Sequence, residues 1–280
     1  MQNIDEKYAE YPPDIRKRLS KRDRRLQRQK NKAAHGGNIA ALKAQLKEIS
    51  ARTENQQSTI DSYDRNKNLV LHGAAGTGKT FMLTYLALEE IIQDNTFERL
   101  KIIRSIVPTR DIGFLPGSPR EKIRMYEAPY ASICTELFSG RTDAYELLKS
   151  KGMIDFEPTS FLRGNTFDNC IVLVDEFQNL SWHEINSTIT RMGENSKILF
   201  AGDLRQTDLI YDKEKAGAAK FLEIVKRMKS FDLIQFNEED IVRSKLVKEF
   251  IISSNRYEDE QHERRARAAS VPSLLLGAEA

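Results

Sequence analysis

Cysteine and long apolar runs are scarce in this 280-residue chain, and each scarcity removes a class of protein. Two cysteines, Cys134 and Cys170, cannot build a disulfide framework, and neither stands in a metal-ligand spacing, so a reduced, cytoplasmic setting is expected. No run of about 18 apolar residues occurs, which excludes a transmembrane helix, and no membrane partner is expected. The opening residues MQNIDEKYAEYPPDIRKR lack the apolar stretch of a secretory signal. There is no internal repeat. Net charge is small as well: 44 Lys and Arg against 41 Asp and Glu leave +3.

That total hides an asymmetry. Residues 16–32 (RKRLSKRDRRLQRQKNK) hold ten Lys/Arg and one Asp, a local +9, which leaves −6 for the other 263 residues. The chain reads as a mildly acidic body with a basic arm. The arm contains no aromatic residue between positions 14 and 62, so it is suited to backbone attraction to a polyanion and not to base stacking.

Past residue 65 short apolar runs alternate with helical patterns. The apolar runs are 68–72, 101–107, 169–175, 196–203 and 232–236; the helical patterns fall near 79–93, 121–138, 143–151, 181–192, 214–229 and 239–253. This alternation predicts an α/β fold with a mainly parallel, five-stranded sheet flanked by helices. The stretch 108–168 is long for one crossover and reads as an insertion of helices and loops. Ile39, Leu42, Leu46 and Ile49 predict a short amphipathic helix over 39–50. The expected organisation is a basic extension with that helix at 1–52, a catalytic domain at 53–254 and a charged, disordered tail at 255–280.

The chemistry concentrates in three places. GAAGTGKT, Gly73 to Thr80, follows one strand and opens a helix, matching G-x-x-x-x-G-K-[ST] in its proper setting. Gly73, Ala74, Ala75, Gly76, Thr77 and Gly78 would wrap phosphates with successive N–H groups at a helix N-terminus. Lys79 would reach the β/γ-phosphates, and the Thr80 hydroxyl would ligate Mg²⁺. A second strand ends in Asp175-Glu176, where Asp175 would hold Mg²⁺ and Glu176 would polarise the attacking water. A third strand ends in the polar cluster 202–208, in which Gln206 either senses the γ-phosphate or caps a turn. A guanine-specific Asn/Thr-Lys-x-Asp motif is absent, which favours ATP over GTP. Trp182 and His183 read as packing or capping residues, and Cys170 as core.

Together these segments resemble the PhoH family, ATPases with one RecA-like domain related to superfamily-1 helicase motors. The resemblance rests on TENQQ (53–57), GAAGTGKT (73–80), GFLPG with EKI (113–117, 121–123), FLRGNTFDNCIVLVDEFQN (161–179), TRMGENSKILFAGDLRQTDL (190–209) and DIVRSKLV (240–247). Two positions depart from the family pattern: Ala74 stands where proline is common, and DEFQN where DEAQN is. The resemblance implies a RecA-like P-loop ATPase with ATP and Mg²⁺ as cofactors. It also implies that Gln56, with Gln57 as rival, reads the adenine edge, and that Arg243 stabilises charge at the γ-phosphate. Arg163, Thr166 and GFLPG fall where relatives carry coupling or nucleic-acid elements, or else close turns. A helicase motor traps ATP between two such domains, and too little chain follows Leu209 for a second. The expectation is a ring-like homo-oligomer, a hexamer being one form, with Arg243 able to serve a neighbour's nucleotide. The function expected is a nucleic-acid-dependent ATPase or helicase-like remodeller acting on a single strand, RNA ahead of DNA. The alternative is an ATP-driven protein remodeller or stress-associated switch.

Overall fold

The computed structural model describes residues 42–106, 119–162, 164, 166–205 and 212–269. The chain divides into two units, Met1–Ala44 and Gln45–Ala280. Of the first, residues 42–44 are described and are helical; the basic arm 16–32 lies outside the described residues. The expected helix over 39–50 is helical at 42–45 but not at 47–50.

The second unit runs α1 (Glu54–Asp64), β1 (Asn68–Gly73), α2 (Lys79–Gln93), β2 (Arg99–Arg104), α3 (Pro119–Leu137), α4 (Ala144–Ser150), β3 (Ile154–Pro158), β4 (Cys170–Asp175), α5 (Trp182–Ile189), β5 (Ser196–Gly202), α6 (Asp212–Val225), β6 (Phe231–Phe236) and α7 (Lys245–Ala269). The strands form one sheet in the order β3-β2-β4-β5-β1-β6, with every pairing parallel. The phosphate-loop strand β1 and the acidic strand β4 are separated by β5, a RecA-like order. Val70, Val172, Val174, Ile198 and Phe200 point to one face of the sheet and meet Ile185, Ala218, Phe221 and Leu222 of α5 and α6. The alternate residues Leu69, Leu71, Ile171, Leu173 and Leu199 are fully buried on the other face, where α2 packs on β2, β4 and β5. Burial on both faces explains why these strands read as continuous apolar runs. Cys170 is a core residue, and Trp182 packs on the same cluster with Lys220 over its ring at 4.2 Å. The cap of α5 is Ser181, which accepts from the Glu184 backbone in a capping box. Among the described residues no helix is long and apolar enough to cross a membrane.

Four expectations need correction. The sheet has six strands, not five, because β3 lies inside the presumed helix-and-loop insertion. It alternates buried Ile154, Phe156 and Pro158 with Asp155 and Glu157, whose carboxylates meet Lys101 of β2 at 2.5 and 2.6 Å. Acids and proline are poor strand formers, so a five-residue edge strand made of them reads as loop. Helix α1 escaped notice because the side chains it buries include Gln56, Thr59 and Ser62, and apolar periodicity does not register polar contacts. The segment 239–253 is not one helix. Asn237 and Asp240 cap a single turn at Glu238–Asp240, and the chain leaves it extended at Ile241 before α7 begins. Finally, residues 255–269 continue α7 instead of fraying. They are rich in Glu, Arg and Ala, good helix formers, and Glu260 pairs with Arg264 four residues on.

Candidate active site

The carboxyl ends of the strands set the site. In register, Arg104 of β2 stands beside Asp175, Asp175 beside Ala201, His72 beside Gly202, and Gly73 beside Phe236. Ligands in open α/β sheets bind along this edge. Here it borders a cavity of about 540 Å³, lined by Ala75 to Thr80, Gln56, Asp175, Glu176, Asp203 and Arg243, with Pro129 and Ile133 of α3 as one wall.

The phosphate loop is shaped by its glycines. Gly73 has φ +116°, and a Cβ there would lie 2.0 Å from the Phe236 carbonyl oxygen, so β6 approaches β1 more closely than any side chain allows. Gly78 caps α2 in the left-handed region at φ +83°. Thr77 is fully buried and its hydroxyl donates to the Ala74 carbonyl at 3.0 Å. The Lys79 ammonium donates to the carbonyls of Gly73 and Ala74 at 2.8 and 2.7 Å. Burial lowers the Lys79 pKa, opposed by the nearby carboxylates of Asp203, Glu176, Asp175 and Asp240. Lys79 therefore sits among acceptors of partial charge, able to turn to a stronger anion.

The acidic strand meets this loop directly. Thr80 Oγ1 donates to Asp175 Oδ1 at 2.8 Å. Glu176 holds a left-handed backbone at φ +51°, which swings its side chain toward the cavity. Burial, then the charge of Asp175, raises the Glu176 pKa. The donor set of one hydroxyl and one carboxylate suits Mg²⁺, which takes few protein oxygens and completes its shell with phosphates and water. Among the described residues no group of three or more His, Cys, Asp or Glu could hold a metal ion.

Most of the expected site residues converge here. Gln56 is buried, its amide donates to the Thr77 carbonyl at 3.0 Å and its oxygen accepts from the Arg52 backbone at 2.8 Å. Gln57 turns away and donates to Asp61 on an exposed surface. Arg243 lies on the extended link before α7, where Val242 donates its backbone N–H to the Gly76 carbonyl at 3.1 Å. A Cβ on Gly76 would lie 3.0 Å from Arg243 Cγ, so this side chain covers the phosphate loop of its own chain. Thr166 lies elsewhere, exposed beside Gly193 at the amino end of the sheet. Gln206, Arg163 and the GFLPG loop lie outside the described residues.

Three participants had no role assigned beforehand. Tyr130 donates its hydroxyl to Asp175 Oδ2 at 2.7 Å. Arg104 stands behind both. Gln178 donates to Glu176 Oε2 at 2.6 Å and accepts from the Asp203 backbone at 3.0 Å, tying the acidic strand to the end of β5. Gln178 was visible within DEFQN but without a partner to give it meaning. Tyr130 stood 45 residues from Asp175 with no local signal. The phenylalanine of DEFQN has a plain explanation: Phe177 is fully buried and packs edge-on to Phe200 and Phe221 at 6.0 and 5.7 Å, contacts each worth about 1 kcal/mol.

A family model described as PhoH-like protein matches residues 48–254. The PhoH-like protein of Synechocystis sp. is 30% identical over 212 residues, 75% of this chain and 63% of that protein. Protein PhoH of Escherichia coli is 30% identical over 199 residues, 71% of this chain and 56% of that protein. The chain thus spans less than two thirds of the length of these relatives. Among solved structures, the large terminase of the thermophilic bacteriophage D6E matches at 12% identity and a TM-score of 0.42, covering 70% of this chain and 48% of that one.

Proposed function

The chain belongs to the PhoH-like protein family, and from that premise we propose that it binds ATP with Mg²⁺ in the cavity at the carboxyl edge of its sheet and hydrolyses it in dependence on single-stranded nucleic acid. The observation that carries the catalytic part is the hydrogen bond from Thr80 to Asp175 at 2.8 Å, because it joins the phosphate loop to the acidic strand in one cavity. Lys79 leaves the Gly73 and Ala74 carbonyls to meet the β/γ-phosphates, and the loop N–H groups bind the remaining oxygens. Thr80 and Asp175 would hold Mg²⁺, which would supply neutralisation of phosphate charge. Glu176 accepts a proton from the attacking water, a role that its raised pKa and the Gln178 amide beside it support. Arg243 acts on the nucleotide of its own chain, since its side chain covers its own Gly76. Gln56 braces Thr77 and keeps one amide hydrogen for the adenine edge.

The basic arm 16–32, whose ten Lys/Arg suit a phosphate backbone, supports a nucleic-acid partner; RNA is put ahead of DNA on the family resemblance alone. A ring-like homo-oligomer completes the reading, with a second protomer closing the cavity. The test is the ATPase rate alone, with single-stranded RNA and with single-stranded DNA, beside Lys79→Ala and Glu176→Gln. Stimulation by RNA above DNA is expected, with both variants reduced about 100-fold or more. Full activity in Lys79→Ala would sink the site assignment; no stimulation by either polymer would turn the reading to protein remodelling. Light scattering with and without ATP checks the oligomer, which a persistent, fully active monomer would overturn.

A further inference from the structure

Asp175 is 4% exposed, and both of its carboxylate oxygens are engaged. Thr80 donates to Oδ1 and Tyr130 to Oδ2. The first bond comes from the phosphate loop, but the second comes from α3, a helix of the insertion with no assigned part in the chemistry. Tyr130 is fully buried, with its ring 5.8 Å from Phe156 of β3. Arg104, the neighbour of Asp175 across the β2–β4 register, lies close enough to interact electrostatically with both the Tyr130 hydroxyl and Asp175. The result is a buried cluster in which the phenol donates to the carboxylate with a guanidinium beside both. Pro129, the residue before it, stands in the cavity wall, so consecutive residues of α3 form the wall and support the acid beneath it.

A buried carboxylate held at one oxygen can still turn; held at both, it has one orientation. We propose that Tyr130 is a positioning residue for Asp175, fixing its carboxylate toward Thr80 so that Oδ1 is presented to the metal, and that α3 is thereby part of the metal site. The proposal rests on the reading of Asp175 as the Mg²⁺ ligand. It also gives the insertion a function, since α3 both walls the cavity and holds the acid beneath it.

The test uses Tyr130→Phe, which keeps the ring packed on Phe156 and removes only the donor. Mn²⁺ binding to the full chain with ADP is followed by electron paramagnetic resonance, ADP affinity is measured in EDTA, and Asp175→Asn serves as control. The expected result is Mn²⁺ affinity weakened about 10-fold, with ADP affinity in EDTA and the melting temperature unchanged. In the Asp175→Asn background Tyr130→Phe should weaken Mn²⁺ no further, because it acts through that carboxylate. Mn²⁺ affinity within roughly twofold of the parent would overturn the inference, provided Asp175→Asn is itself weakened. If Asp175→Asn binds Mn²⁺ normally, it is the metal assignment that fails. Should Tyr130→Phe not hold ADP in EDTA, Phe156→Leu, which loosens the ring that carries the hydroxyl, decides in its place: weakened Mn²⁺ with intact ADP binding supports the inference, and unchanged Mn²⁺ overturns it.

Discussion

Two buried lysines stand at opposite ends of the sheet in opposite states. Lys197, at the amino end of β5, pairs with Glu90 at 3.1 Å and lies 3.7 Å from the centre of the Tyr63 ring, while the Tyr63 hydroxyl donates to the same Glu90 at 2.5 Å. Lys79, at the carboxyl end, donates to backbone carbonyls and to the Thr77 hydroxyl, and forms no ion pair among the described residues. Their side chains are equally withdrawn from water, at 4% and 8% exposure for the residues. One charge is matched by a full counter-charge and a ring face, so it fastens helix α2 to the sheet and has nothing left to offer. The other is held by partial charges that a phosphate would outcompete. Burial of a lysine does not by itself mark function; what separates these two is whether a carboxylate pairs with the charge.

The sharpest test of this contrast exchanges each lysine for an apolar residue. Lys197→Met leaves the half-buried Glu90 without its cation and is expected to cost about 2–3 kcal/mol in urea unfolding, with ATP affinity unchanged. Lys79→Ala is expected to keep or raise the melting temperature while nucleotide binding is lost. Equal loss of stability in both variants would erase the distinction. A smaller effect separates two adjacent glutamines. Gln56→Ala removes a buried bond to the phosphate loop and should cost about 1 kcal/mol together with nucleotide affinity, whereas Gln57→Ala should stay within about 0.5 kcal/mol. Reversal of that order would mean that the wrong glutamine has been assigned to the loop.

The smallest effect concerns groups that are buried with no charge to match. Burial pushes the Cys134 thiol up to about 12 and the Cys170 thiol up to about 11. Each holds its proton more tightly when folded than when unfolded. Their contribution to stability is therefore complete below the ordinary thiol range and falls only as pH rises through it and toward those values. At pH 8 an alkylating reagent should label neither cysteine in the native protein and both after denaturation. Labelling of Cys134 in the native state would show that α3 opens, and with it the support beneath Asp175.

The phosphate loop, the acidic pair and the parallel α/β plan were legible because each is written locally. Gly73 to Thr80 are contiguous, Asp175-Glu176 closes an apolar run, and buried strands announce themselves by continuous hydrophobicity. Helix α1 and strand β3 were not legible, since Gln56, Thr59, Asp155 and Glu157 make their contacts through polar atoms. Arg243 was identified but misplaced onto a helix. Asn237 and Asp240, which cap the single turn before it, sit among acids that suit a helix equally well.

Chain order alone therefore assigns the fold class and the groups that would touch a nucleotide, since glycines, a lysine and two acids at strand ends carry their chemistry with them. Tertiary structure decided how those groups are held. Tyr130 reaches Asp175 from 45 residues away, Gln178 ties Glu176 to Asp203, and Arg243 covers the loop of its own chain. The physical reason is the range of the forces involved. Backbone preference and apolar periodicity act over a few residues and leave a trace in sequence, whereas a buried hydrogen bond is set by distance in space, which only the packed sheet and helices define.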